Sequence, residues 1–115
     1  MSRYNRLHRI ARRLGEVNAG HSVADAAILK ALGLTGPVQP YTVDEAAART
    51  LLPPGFEWLV IIRTAKKVHA SYRRIGVGDD GLPYPYQGQW GWTIPLALCG
   101  SALRAWAMLE RLEGE

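Results

Sequence analysis

The sequence predicts an α+β fold: a small antiparallel sheet of two or three strands packed against three helices, preceded by a basic N-terminal helix. Apolar residues recur at helical spacing over the first sixteen residues and again over 94–112. Helix-start patterns occur at 22–25 and 42–45, and β-branched and aromatic residues run at strand length over 57–65 and 67–76. With 115 residues the chain holds one modest core rather than two. The organisation that follows is a basic amphipathic helix over 1–17 and a single domain over 22–115.

SRYNRLHRIARRLGE places Leu7, Ile10, Ala11 and Leu14 on one stripe that Tyr4 extends, with arginines around the rest of the circumference. Gly15, Asn18 and Gly20 end it in a loop. SVADAA (22–27) and TVDEAA (42–47) then each set a hydroxyl residue three positions before a carboxylate, the spacing of a capping box. Ser22 or Thr42 accepts a hydrogen bond from a free helical N–H, and Asp25 or Glu45 reaches back to the N–H of the cap. These boxes predict helices over 23–32, stopped by Gly33 in the left-handed conformation, and over 43–52, ended before Pro-Pro-Gly.

FEWLVIIRTA predicts a strand that is apolar on both alternating faces from Trp58 to Ile62. Such a strand is covered on both sides, or by a helix on one and a partner subunit on the other, which makes a homodimer one expectation. Lys66 and Lys67 turn the chain into a second strand, with Val68, Ala70 and Tyr72 facing one way and His69, Ser71 and Arg73 the other. Glycine and proline density makes GVGDDGLPYPYQGQWGW mostly loop, with a short third strand over 87–92. Thr93 caps the closing helix, whose first turn tolerates Pro95. Leu96, Cys99, Leu103 and Trp106 form one face of that helix, and Leu98, Ala102, Ala105 and Leu109 the neighbouring one. Ala97, Ser101, Arg104, Met108 and Arg111 are left as a narrow solvent stripe.

The charge is unevenly placed. Residues 1–16 hold five arginines against Glu16, and the remainder holds nine basic and nine acidic residues, so the whole net charge of +4 sits in the first segment. That asymmetry points to an acidic or polyanionic partner. No apolar run approaches the ~20 residues that span a bilayer, and a single cysteine forms no intrachain disulfide. The expected setting is a reducing cytoplasm, with no membrane partner.

The residues that resemble chemistry have simpler roles. GVGDDG (76–81) has the letters of a dinucleotide loop, but Leu-Pro follows where a helix is needed, and Asp79 and Asp80 would repel phosphate. It reads as a turn. Cys99 lies inside an apolar helix and reads as a small core residue rather than a nucleophile. His8, His21 and His69 lack metal-ligand spacing, and the carboxylates form no acid–base pair. No catalytic residue, metal or cofactor is expected, and the protein reads as a non-enzyme.

Two features remain as candidate binding surfaces. Arg3, Arg6, Arg9, Arg12 and Arg13 either contact a partner, phosphate backbone included, or form the solvated face of a docked helix. Tyr84, Tyr86, Trp90 and Trp92 stack on bases, form a protein-binding hot spot, or fold over the helix and seal the core, and the sealing role suits the two tryptophans better.

DAAILKALGL (25–34), PYTVDEAAARTLLPPGFEW (40–58) and TIPLALCGSALRAWA (93–107), in that order, resemble the small phage and prophage proteins of the ABA-sandwich domain group. The resemblance covers about residues 22–109. It implies an α/β sandwich encoded by a phage, a prophage or a gene-transfer-like element in a bacterial host, and it carries no catalytic residue over. The arginine-rich helix and the tyrosine-rich loop depart from the group's pattern. The expected function is therefore an accessory protein that binds and modulates a host protein or nucleoprotein complex, a counter-defence inhibitor being one version. Its contacts would be the five arginines together with Tyr84, Tyr86 and Trp90. The alternatives are direct nucleic-acid binding by the arginine helix and sequestration of a nucleotide-type ligand by the aromatic loop.

Overall fold

A computed structural model describes residues 2–114, with side chains through Leu112; Met1 and Glu115, at the outer ends of the two predicted segments, lie outside the described residues. The elements follow in the order α1 (Arg3–Glu16), α2 (Ser22–Leu32), α3 (Glu45–Arg49), β1 (Phe56–Arg63), β2 (Val68–Arg74), β3 (Gln87–Gly91) and α4 (Ile94–Gly114). The fold is α+β. The strands form one antiparallel meander in the order β1-β2-β3, and one face of the sheet lies on α4. α4 also packs against α1 and α3, and every residue from Leu96 to Leu103 is buried. Among the described residues no helix is long and apolar enough to cross a membrane.

The solvent stripe expected on α4 is mostly absent. Ala97 and Ser101 are fully buried, because β3 crosses that side of the helix. Gly91 permits the approach: a Cβ there would lie 2.7 Å from the Ala97 backbone nitrogen. Arg104 and Met108 are half-buried, and only Arg111 of the predicted stripe is exposed. Thr93 does cap the helix, its Oγ1 accepting from the Leu96 N–H at 3.3 Å.

Within the chain β1 is covered on one face only. Trp58 pairs with Tyr72 and Ile61 with Ala70, so two β1 residues stand opposite Ser71 in a β-bulge. The extra residue shifts the alternation by one, which lets both Trp58 and Ile61 face the core. Val60 and Ile62 are left outward at 55% and 47% exposure. The continuous apolar run is thus the signature of a phase change within a half-covered strand. β2 alternates as predicted, with Val68, Ala70 and Tyr72 buried and His69, Ser71 and Arg73 partly exposed.

Neither predicted capping box forms. His21 caps α2 by accepting the Val23 N–H on its Nδ1 at 3.0 Å. Asp44 caps α3, which is shorter than predicted, by accepting the Ala47 N–H at 3.1 Å. The hydroxyl of the second box and the carboxylate of the first are paired with each other instead. Asp25 Oδ1 accepts from both the N–H and the hydroxyl of Thr42, each at 2.7 Å, and Thr42 Oγ1 accepts from the His21 N–H at 2.9 Å. Both side chains are buried. A long-range pair satisfies three donors where two local boxes would have satisfied surface ones, and burial makes each bond costlier to break. Gly33 does supply the left-handed stop, at φ 66°.

A second polar knot crosses the core. Gln89 on β3 is buried, and its Nε2 donates to the carbonyl of Ala11 at 2.7 Å. Its Oε1 accepts from Arg104 Nε, and its backbone N–H donates to Ser101 Oγ at 2.9 Å. Ser101 donates in turn to the Ala70 carbonyl at 2.9 Å. Gly100 makes room for this side chain, since a Cβ there would fall inside Gln89.

Two outcomes are expected in urea unfolding. Asp25→Ala, which strands the Thr42 donors in the interior, costs about 2–4 kcal/mol, while Asp25→Asn, which keeps an acceptor, costs less. Gly100→Ala destabilises the protein although alanine is the better helix former by ~1 kcal/mol. In a Gln89→Ala background the same change becomes stabilising, and an unchanged sign across the two backgrounds would show that Gln89 does not hold the space.

Candidate cationic interface

α1 is fixed in azimuth by its inner face. Leu7 and Ala11 are fully buried and Leu14 nearly so, while Arg6, Arg9, Arg12 and Arg13 are exposed. At ~100° per residue these four fan over roughly a third of the helix circumference. Among the described residues none of their guanidinium groups has a hydrogen-bond or ion-pair partner. Arg3 behaves differently. Its Nη1 forms an ion pair with Glu110 at 2.8 Å, its guanidinium carbon lies 5.8 Å from the centre of the Trp106 ring, and it donates to the carbonyls of Ala31 and Leu32 at 3.4 Å. It fastens α1 to α4 and to the end of α2, leaving four of the five predicted arginines as an open cationic face.

The predicted aromatic patch is spread over separate places. Tyr86 is 70% exposed, whereas Tyr84 is half-buried with the Arg74 guanidinium 5.4 Å above its ring. Trp90 and Trp92 do not seal the core. Strand alternation turns Gln89 and Gly91 inward and Trp90 outward, where it meets the edge of His69 at 5.0 Å. Trp92 is 40% exposed beneath Lys67. The hollow beside Tyr84 is lined by Asp79 and Asp80, carboxylates that oppose a phosphorylated ligand. GVGDDG is a turn, closed by Gly78 N–H to the Leu82 carbonyl at 2.8 Å.

Cys99 is fully buried, and its Sγ donates to the Tyr41 carbonyl at 3.1 Å. Burial, and next the Asp25 charge, push its thiol above the usual range, which disfavours the thiolate. Among the described residues no three of His, Cys, Asp and Glu gather as metal ligands.

One site arises only from tertiary contact. A cleft of about 690 Å³ opens between α1, β3 and α4, with Tyr4, His8, Tyr72, Gln89, Arg104 and Arg111 in its lining. A smaller hollow of about 330 Å³, formed by Asn5, His8, Arg9, Arg12 and Arg104, adjoins it through the shared His8 and Arg104. Arg104 Nη1 donates to His8 Nδ1 at 3.3 Å, which places the ring proton on Nε2. Burial raises the Tyr72 hydroxyl to about 12 against the opposing pull of Arg104. Nothing local marks this site in the sequence, because His8 and Arg104 stand 96 residues apart.

Compared with protein-family models, curated proteins and solved structures, the chain finds no match.

The histidines give the fold a pH dependence of defined sign. Desolvation holds His8 and His69 below their ordinary 6.5, and the Arg104 charge adds to the effect at His8. As pH falls through 6.5 the unfolded chain takes up these protons and the folded chain does not. Stability is therefore full above 6.5 and declines as pH falls from there towards the lowered folded values. Melting temperatures between pH 7 and 5 should fall more steeply for this chain than for a His8→Gln, His69→Gln variant, and identical slopes would remove the histidines as the cause.

Proposed function

We propose that this chain is a non-catalytic interaction module, an accessory protein of the phage or prophage kind. It binds a host nucleoprotein complex through the cationic face of α1 and so modulates the complex. The supporting observation is the set of four exposed arginines, Arg6, Arg9, Arg12 and Arg13, on a helix whose opposite face is locked into the core. A helix held in this way presents its guanidinium groups without further ordering of the backbone, and each group offers donors suited to phosphate oxygens. The aromatic patch contributes less, since Tyr84 is engaged by Arg74 and the hollow beside it is acidic.

Binding of labelled duplex DNA and RNA, followed by anisotropy, tests the nucleic-acid side of this reading. With four phosphate contacts, affinity should fall about 100-fold between 50 and 200 mM salt. Neutralising the four arginines to glutamine should abolish both that binding and the capture of the complex from a bacterial lysate, with folding unchanged. Salt-insensitive binding, or a variant that binds as well as the parent, would sink the assignment.

A further inference from the structure

The cleft between α1 and α4 has the features of an anion receptor. Arg104 is held in one orientation from two sides. Its Nε donates to Gln89, which is itself tied to Ala11, and its Nη1 donates to His8. Among the described residues its Nη2 has no partner. A guanidinium fixed through Nε and Nη1, with Nη2 open, loses little freedom when an oxyanion docks on it. His8 adds a second donor: with Nδ1 accepting from Arg104, its Nε2 carries the proton. Arg12 and Asn5 stand at the rim of the adjoining hollow. Among the described residues no carboxylate lines either hollow.

We propose that this cleft and its adjoining hollow bind a phosphate monoester, held by Arg104 and His8, which line both, and by Arg12 and Asn5 of the hollow. A terminal phosphoryl group carries close to two negative charges and three acceptor oxygens. Donors converging from both helices match that geometry better than they match a diester, which offers two free oxygens and must leave in two directions. The cleft's volume lies within the ~300–1,000 Å³ that holds small organic ligands, and Tyr4 and Met108 supply apolar wall for the esterified group. The site shares Arg9 and Arg12 with the open arginine face, but Arg104 and His8 are not part of that face.

The test is titration of inorganic phosphate into the full chain, read by calorimetry and by the nuclear magnetic resonance shifts of the histidine rings. Saturable one-to-one binding that shifts His8 but not His21 is expected. Arg104→Gln and His8→Ala should each weaken it at least tenfold, while Arg6→Gln with Arg13→Gln should leave it within twofold. Because Arg104→Gln also removes a partner of Gln89, Arg12→Gln, on the exposed rim, serves as the variant that keeps the fold, and it should weaken binding severalfold. Two further ligand pairs identify the source of the monoester. Adenosine monophosphate binding more tightly than phosphate points to a small molecule; a 5′-phosphorylated oligonucleotide preferred over its 5′-hydroxyl form points to a strand end. Absence of saturable phosphate binding, or equal affinity for the two oligonucleotide forms together with no gain for the monophosphate, overturns the proposal. The reading of the arginine face fails separately, through the salt dependence of duplex binding.

Discussion

Gln89 commits its side-chain amide and its backbone N–H to the interior of the molecule. Its side chain accepts from Arg104 and donates to the carbonyl of Ala11, and its backbone N–H donates to Ser101, whose hydroxyl donates in turn to the Ala70 carbonyl. One residue on a five-residue strand thereby ties α1, β2 and α4 together. Hydrogen bonds in such a place strengthen one another, and none can be given up without leaving a buried polar group unpaired. The constraint reaches outward. Because Ala11 is held at its carbonyl and buried at its side chain, α1 has a single azimuth, and that azimuth turns Arg6, Arg9, Arg12 and Arg13 to solvent and His8 toward Arg104.

The opposite end of the core is fastened by a smaller arrangement of the same kind. The segment between α2 and α3 has no regular structure and few apolar residues facing inward, yet Tyr41 and Thr42 within it are buried. Thr42 is held by Asp25 on α2, and the Tyr41 carbonyl accepts from the Cys99 thiol on α4. A carboxylate taken out of water is tolerated because it accepts two short hydrogen bonds from one residue. The lone cysteine therefore acts as a weak donor in a packed core.

These two polar clamps leave distinct surfaces. One side of the molecule carries the open arginines of α1 and, beside them, the cleft lined by Arg104 and His8. The outer face of the sheet carries Val60, Ile62 and Trp90. Charge concentrated at one end of a chain becomes charge concentrated on one face only because the rest of the fold pins that end down. Arg3 shows the difference: its guanidinium is consumed by Glu110 and Trp106 in doing the pinning, whereas the next four arginines are released by it.

Patterning along the chain was enough to predict the class of fold, the positions of the strands, the alternation of β2, the stop at Gly33 and the apolar character of the closing helix. Each follows from periodicity or from the backbone conformation that one residue allows, and both act over a few positions. The amphipathic, arginine-rich nature of the first helix was legible for the same reason. What only the tertiary structure decided is which polar groups meet. Asp25 and Thr42 each carry a credible local role, and the interior overrules both, since a hydrogen bond shielded from water is harder to replace than one at a helix end. The bulge in β1 converts an apparently two-faced strand into a half-covered one, and the outward turn of Trp90 follows from a register that only pairing with β2 defines. The cleft is the extreme case. His8 and Arg104 are unremarkable in the sequence, and they become a site because Gln89, distant from one and a strand away from the other, brings their helices together.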